Sequence, residues 1–298
     1  MNSREYYRRI TGVCSPERLQ SRKVVIVGLG SGGCRVASEL GRLGLDLVLV
    51  ERPRELLEEH NIIRHVLGYR SLGKPKLGEM ARHLREHNPR CRVGRCSMDV
   101  VAQADGFGRR LEQWRPDLLA VCTDNEQSKH ALNEQALRLG IPQVGAGVYD
   151  GGIGGEVYRV LPGQACYGCI ADELHLHRNA PAQEPTPDYN RPDPFDEVGS
   201  TCALNLDIEQ IALLQSRLIL DTLLQQHDFL GLPPTVNLLV FSNRIVPGTF
   251  ARPLQCQFFA VPRNPACLDC GQAAGEVEQK AEEILTMLHV GAQPATVG

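Results

Sequence analysis

Four β-branched residues, Val24-Val25-Ile26-Val27, run directly into Gly28-Leu-Gly30-Ser-Gly-Gly33. A continuous apolar run of that length suits a strand buried on both faces of a parallel sheet. Glycines spaced G-x-G-x-x-G between a strand and a helix permit a tight turn and close backbone approach. The helix N-terminus then offers N–H groups and a positive dipole end to a phosphate. Glu51 closes the next apolar run, Leu47–Val50, where an acid meets the ribose hydroxyls of a bound nucleotide. This block constrains the fold more than any other part of the chain. Alone it says adenine nucleotide, and its commonest meaning is a dinucleotide-dependent dehydrogenase.

The remaining pattern extends the same architecture. Residues 4–10 read as a short helix and Gly33–Gly44 as the helix after the loop. Leu77–His87 is amphipathic and stops at Asn88-Pro89. Leu118–Cys122 is another buried strand with Thr123-Asp124-Asn125 at its carboxyl end. Residues 126–139 follow as a helix and Val144–Gly147 as a strand. Strand–helix alternation predicts an α/β fold with a parallel, doubly wound Rossmann-like sheet. Val157–Leu161, Val236–Val246 and Cys256–Val261 read as further strands, and 203–225 and 275–289 as helices. The expected organisation is one domain over 1–298. It has a helical arm at 1–20, a mobile Pro-rich crossover loop at 171–200 and a flexible tail at 290–298.

The composition excludes several classes. The net charge is −3 and aromatics make up 5% of 298 residues, which supplies neither a basic patch nor a stacking platform for nucleic acid. No apolar run reaches the ~18 residues of a membrane span, and the polar start lacks a signal-peptide core. A reduced, cytoplasmic setting is expected, in which the eleven cysteines serve as ligands, nucleophiles or core thiols rather than disulfides.

Four of them form two C-x-x-C pairs, Cys166/Cys169 and Cys267/Cys270. Two such pairs complete a closed tetrahedral thiolate site, so a structural zinc ion is expected. Cys34 and Cys122 read as core thiols. Cys202 sits ahead of the 203–225 helix, where it is either a nucleophile or a helix-terminal residue with no chemistry.

Asn61, Arg64 and Lys76 are unexplained by hydride transfer. Attack on an α-phosphate needs the charge on the β- and γ-phosphates neutralised by cations. Asp124 suits a Mg²⁺ ligand, since that ion takes one or two carboxylates besides phosphates.

The chain resembles the ubiquitin-activating-enzyme-like adenylyltransferases of ThiF/MoeB type from Tyr6 to about Gln272. The resemblance rests on Tyr6-Tyr-Arg8-Arg-Ile, the glycine loop, Asn61-x-x-Arg64, Leu72-Gly-Lys-Pro-Lys76, Asn88-Pro89, Cys122-Thr-Asp124-Asn125 and the two cysteine pairs. It implies ATP as substrate, with Gly28, Gly30, Gly33, Glu51, Asn61, Arg64, Lys76, Asp124 and Asn125 in its site and Mg²⁺ on Asp124. It implies Arg8 reaching across a homodimer to the partner's nucleotide. It implies a Gly-Gly-ended ubiquitin-like or sulfur-carrier protein as acyl substrate. Cys202 stands where some members carry a cysteine that receives the activated acyl group, as a thioester for a conjugating enzyme, or forms a disulfide-type link with the carrier, and where others carry one without essential use. Departures are the acid at Glu51-Arg-Pro, which replaces Asp-x-Asp, and His65, which replaces the usual Gln after Arg64. An NAD-dependent oxidoreductase and a non-catalytic scaffold stand as alternatives. The first leaves Arg64, Lys76 and the cysteine set unused, and the second leaves the intact Arg64, Lys76 and Asp124 without a purpose.

Overall fold

In a computed structural model, which describes residues 3–178, 202–224 and 231–271, eight strands form one sheet in the order β3-β2-β1-β4-β5-β6-β7-β8. The N-terminal arm carries two short helices, α1 (Ser3–Tyr7) and α2 (Pro16–Gln20). The glycine block then folds as β1 (Lys23–Val27), α3 (Ser31–Leu43) and β2 (Asp46–Glu51). A crossover segment with the single turn α4 (Glu59–Ile62) leads to α5 (Lys76–His87), β3 (Val93–Ser97), α6 (Ala104–Trp114), β4 (Leu118–Val121), α7 (Glu126–Leu139) and β5 (Gln143–Val148). These five strands are parallel, with Val24 level with Leu47 on one side and Leu118 on the other.

Side-chain alternation in β1, β2 and β4 divides the sheet's two faces. Val24, Ile26, Leu47, Leu49 and Leu118 pack with residues of α3, α5 and the long helix α9 (Asn205–Leu223). Val25, Val27, Val48, Val50 and Leu119 pack against Phe107 and Leu111 of α6 and Leu132 and Ala136 of α7. Burial on both faces is why these strands read as unbroken apolar runs.

The sheet is not parallel throughout. Beyond β5, the strands β6 (Gly154–Val160), β7 (Leu238–Ser242) and β8 (Gln255–Phe259) pair antiparallel. The physical reason is the connection. Between β5 and β6 there is only a tight turn through Gly151 and Gly152, both at positive φ, and a hairpin forces antiparallel pairing. β3 and α6 have no counterpart in the sequence expectation: β3 is an edge strand exposed at Gly94, Arg95 and Ser97 with only Cys96 buried, and α6 carries Gly106 and Gly108.

The helix α8 (Tyr167–Arg178) occupies the first part of the expected 171–200 loop, so that loop starts later than its composition suggests. Residues 179–201, the expected helix at 275–289 and the tail at 290–298 lie outside the described residues. Among the described residues no helix is long and apolar enough to cross a membrane.

The strand order reverses between β1 and β4: β2 and β3 lie on one side, β4 and β5 on the other. In doubly wound sheets the crevice for ligands opens at the carboxyl ends of strands at such a point.

Candidate active site

A cleft of about 1500 Å³ opens there. Its lining includes Gly28, Gly30 and Gly33 from the loop, Glu51 from β2, Arg64 and Lys76 from the crossover, and Asp124 and Asn125 after β4. Residues far apart in sequence thus share one wall because each follows the carboxyl end of a parallel strand.

The loop glycines divide by purpose. Gly28 has φ +91°, and a Cβ there would lie 2.6 Å from the Cys122 carbonyl oxygen. Gly33 is equally hemmed in by Gly28 and Cys122, whereas Gly30 and Gly32 face open space. The inner glycines let β1 and α3 approach, and the outer ones leave room above the first turn of α3. That open cradle of N–H groups, with Arg64 and Lys76 in the same cleft, fits the phosphates of a nucleotide.

Glu51 serves this loop directly. One carboxylate oxygen accepts the Leu29 N–H at 2.7 Å and the other the Arg52 N–H at 2.9 Å. Burial raises its pKa, against the pull of those N–H groups and of Lys76. Lys76 is largely buried, and its ammonium lies 3.3 Å from Glu55, which also holds Arg52 at 2.7 Å.

Two expected nucleotide residues are otherwise engaged. Asn61 is not among the cleft-lining residues, and its side-chain oxygen accepts the Glu58 N–H at 3.1 Å, capping α4. Asn125 lines the cleft but caps α7, accepting the Ser128 N–H at 2.7 Å. Arg8 is exposed, lies 3.4 Å from Glu5, and does not line the cleft of its own chain. Cys202 is exposed beside Ala203, a cleft-lining residue. It precedes the Leu204 N-cap of α9 by two positions, outside the turn where a helix dipole acts.

Cys34 and Cys122 are indeed enclosed thiols beneath the loop, with burial pushing their pKa values up to about 11 and about 12. Gln215, not singled out from the sequence, reaches from α9 to the Val121 and Val144 carbonyls at 2.9 and 3.2 Å, fixing the floor between β4 and β5. The signal was there: a glutamine directly after the apolar run Ile211-Ala-Leu-Leu214.

Away from the glycines the cleft runs on over the antiparallel half of the sheet. Leu238, Val240 and Phe259 line it, as do Tyr149 and Phe250, whose rings stack at 6.3 Å. Pockets for small ligands span roughly 300–1,000 Å³, so this cleft has room for more than a nucleotide.

The four cysteines of the two C-x-x-C pairs converge on the other side of α7. Their sulfurs all lie within 4.8 Å of one another, with separations of 3.9 Å (Cys166–Cys169), 3.6 Å (Cys166–Cys267) and 3.5 Å (Cys169–Cys270). Zn–S bonds of about 2.3 Å in a tetrahedron place sulfurs about 3.8 Å apart, so the set fits one zinc ion. None of the eleven cysteines is paired in a disulfide. Both pairs dock on α7. Buried Asn133 accepts the Tyr167 N–H at 3.0 Å and donates to Asp269 at 2.8 Å, and His130 lies 3.0 Å from Asp269. The Tyr167 hydroxyl donates to Glu126, a cleft-lining residue.

With this geometry in view, the ThiF family model matches residues 3–247. The chain belongs to the ThiF family. Among curated relatives, this ThiF-family chain is 28% identical over 163 residues to the ubiquitin-like modifier-activating enzyme 5 of Dictyostelium discoideum, covering 52% of this chain and 42% of that protein. It is 32% identical over 161 residues to the sulfur carrier protein adenylyltransferase of Thermus thermophilus, covering 52% and 57%. The chain thus spans about half the length of the curated relatives it matches. The fold is also that of E. coli MccB in a crystal structure with ATP, with a TM-score of 0.66, 18% identity, and coverage of 91% of this chain and 75% of that one.

Proposed function

We propose that this chain adenylates the C-terminal carboxylate of a small ubiquitin-like protein. The observation that carries the reading is the shared cleft. Glycine loop, Arg64, Lys76 and Asp124 line one cavity that continues past the nucleotide-sized region over β6–β8. A dehydrogenase needs no cations at the phosphate end beyond those for a pyrophosphate bridge. An adenylating enzyme needs them to let pyrophosphate leave.

In this reading the loop N–H groups and the α3 terminus bind the phosphates, and Glu51 faces the ribose. The carboxylate oxygen attacks the α-phosphorus, the bond to the bridging oxygen breaks, and pyrophosphate departs carrying the charge that Arg64 and Lys76 neutralise. Mg²⁺ held by Asp124 would add further charge neutralisation at the phosphates. The carrier's C-terminal tail would occupy the apolar reach by Tyr149 and Phe250. Arg8, remote from its own cleft, would serve the partner's site in a homodimer. Cys202 at the rim would attack the acyl carbon, expel AMP and hold a thioester for a conjugating enzyme. The bond it forms is C–S and the bond it breaks is C–O to phosphate.

A second reading, supported by the similarity to the Thermus sulfur carrier protein adenylyltransferase, has the same adenylate accept sulfur instead. Both readings require carrier-dependent exchange of pyrophosphate with ATP. Exchange is expected to collapse in Arg64→Ala and in Asp124→Ala, and full activity in both variants would refute adenylation here. Intact mass after mixing with ATP and carrier separates the readings, because a Cys202 adduct of the carrier's mass less one water, the thioester, appears in the first alone.

A further inference from the structure

His65 has no part in the reaction described above, yet it makes the most specific contact with the phosphate loop. Its Nε2 lies 2.9 Å from the Leu29 carbonyl oxygen, and its Nδ1 accepts the Leu67 N–H at 3.1 Å. An N–H pointing at Nδ1 fixes the neutral tautomer with its proton on Nε2, so the ring donates to Leu29. Burial lowers the imidazole pKa to about 4, so the ring is neutral near pH 7. Both nitrogens are used, and a flip of the ring loses both bonds.

Leu29 is the residue between Gly28 and Gly30, and its side chain is fully buried. Its N–H is the one that Glu51 accepts at 2.7 Å. The two peptide units flanking Leu29 are therefore held from opposite sides, by a carboxylate at the end of β2 and by an imidazole on the crossover. Gly28 itself donates to the Val50 carbonyl at 3.0 Å. The next residues, Gly30 to Gly33, line the cleft, and the Cys34 thiol donates to the Ser31 carbonyl at 3.1 Å beneath them. Immediately before His65, Arg64 lines that same cleft. One short segment thus presents a cation to the ligand and a clamp to the loop beneath it.

We propose that His65 is a positioning residue for the phosphate loop: with Glu51 it clamps Leu29 so that the N–H groups after Gly30 are aimed at the nucleotide before it binds. The inference rests on the adenylation reading and deepens it. Preorganised donors cost no rearrangement on binding, so removing the clamp weakens nucleotide binding without touching the groups that contact it.

The experiment is calorimetric titration of the full chain with ATP and Mg²⁺, comparing wild type with His65→Leu, His65→Gln, His65→Asn and Lys76→Ala, alongside circular dichroism. His65→Leu, which keeps bulk and loses both polar atoms, is expected to weaken ATP binding about tenfold, roughly the worth of one buried hydrogen bond. His65→Gln can both donate and accept and is expected to recover most of that loss. His65→Asn, too short to span the gap, is expected to behave like leucine, and it replaces His65→Leu if the latter does not fold. Wild-type affinity in the leucine or asparagine variant overturns the clamp, as does a glutamine variant no better than either. Those results leave the nucleotide site standing if Lys76→Ala still loses binding. A wild-type chain that fails to bind ATP overturns both.

Discussion

Gly32→Ala and Gly33→Ala are expected to act in opposite directions, although the two glycines are adjacent in the motif. A Cβ at Gly33 would stand 2.0 Å from the Gly28 carbonyl oxygen, 2.9 Å from Cys122 Cβ and 3.0 Å from the Gly28 carbonyl carbon. Since Cβ contacts under 3.0 Å essentially never occur, the first turn of α3 must retreat from β1 by roughly 1 Å. None of the three obstructing atoms is the end of a flexible side chain. The core beneath is close-packed, with Cys34 and Leu29 fully buried, so overpacking costs about 1–3 kcal/mol. A shift of about 1 Å in catalytic geometry costs on the order of 10²-fold in rate. At Gly32 an added Cβ meets nothing within 4 Å, and alanine is better than glycine inside a helix by roughly 0.5–1 kcal/mol. Thermal melts of the two variants should therefore move apart, Gly33→Ala down and Gly32→Ala up, while pyrophosphate exchange falls in Gly33→Ala by about two orders of magnitude. A Gly33→Ala protein that melts and exchanges like wild type would refute the argument that this glycine exists to let α3 approach β1.

Three further outcomes follow from the packing. Buried Arg159 of β6 lies 3.1 Å from Asp221 and donates to the Pro233 and Val236 carbonyls at 2.8 Å each. Asp221→Asn leaves that guanidinium without its counter-charge, and urea titration should show a loss of about 3–5 kcal/mol. Burial pushes His65 and His83 down to about 4. Their unfolded forms bind protons near pH 6.5 and the folded forms do not, so stability should fall as pH drops from about 6.5 toward 4 and then level off. His65→Gln should flatten that slope by a few kcal/mol at most over the range, with half-open His83 contributing less; an unchanged slope counts against a buried neutral His65. One equivalent of zinc per chain is expected on elemental analysis, lost in Cys267→Ser. Because Asn133 and Tyr167 tie the cysteine pairs to α7, hydrogen exchange along α7 should rise on metal removal, and unchanged exchange would separate the two features.

Much of this was legible in the chain. Val24–Val27, the glycine spacing and Glu51 specified a strand, a phosphate-sized turn and a helix because each rests on local sterics or periodicity. The C-x-x-C pairs announced their chemistry through spacing. Arg64, Lys76 and Asp124 could be singled out by their order and spacing, and the fold brings all three to one cleft. The edge strand β3 was not legible, since in Val93-Gly-Arg-Cys-Ser only Cys96 is buried, too little to impose an alternating pattern. Nor was the direction of β6–β8, which depends on a turn rather than on the strands it joins. Asn61 matched a nucleotide-binding pattern, yet in the folded chain its side-chain oxygen reaches back to the Glu58 N–H and caps the turn it lies in, because an Asx side chain competes for the nearest free N–H.

By itself the sequence determined which short segments adopt which backbone and which chemical groups are available, since both depend on neighbours a few residues apart. Tertiary structure alone decided which of those groups meet. Glu51 and His65 close on the two sides of Leu29, and two cysteine pairs about a hundred residues apart converge on four sulfurs within 4.8 Å. Such meetings follow from strand order, hairpin direction and the path of the crossover, which no periodicity in the chain records.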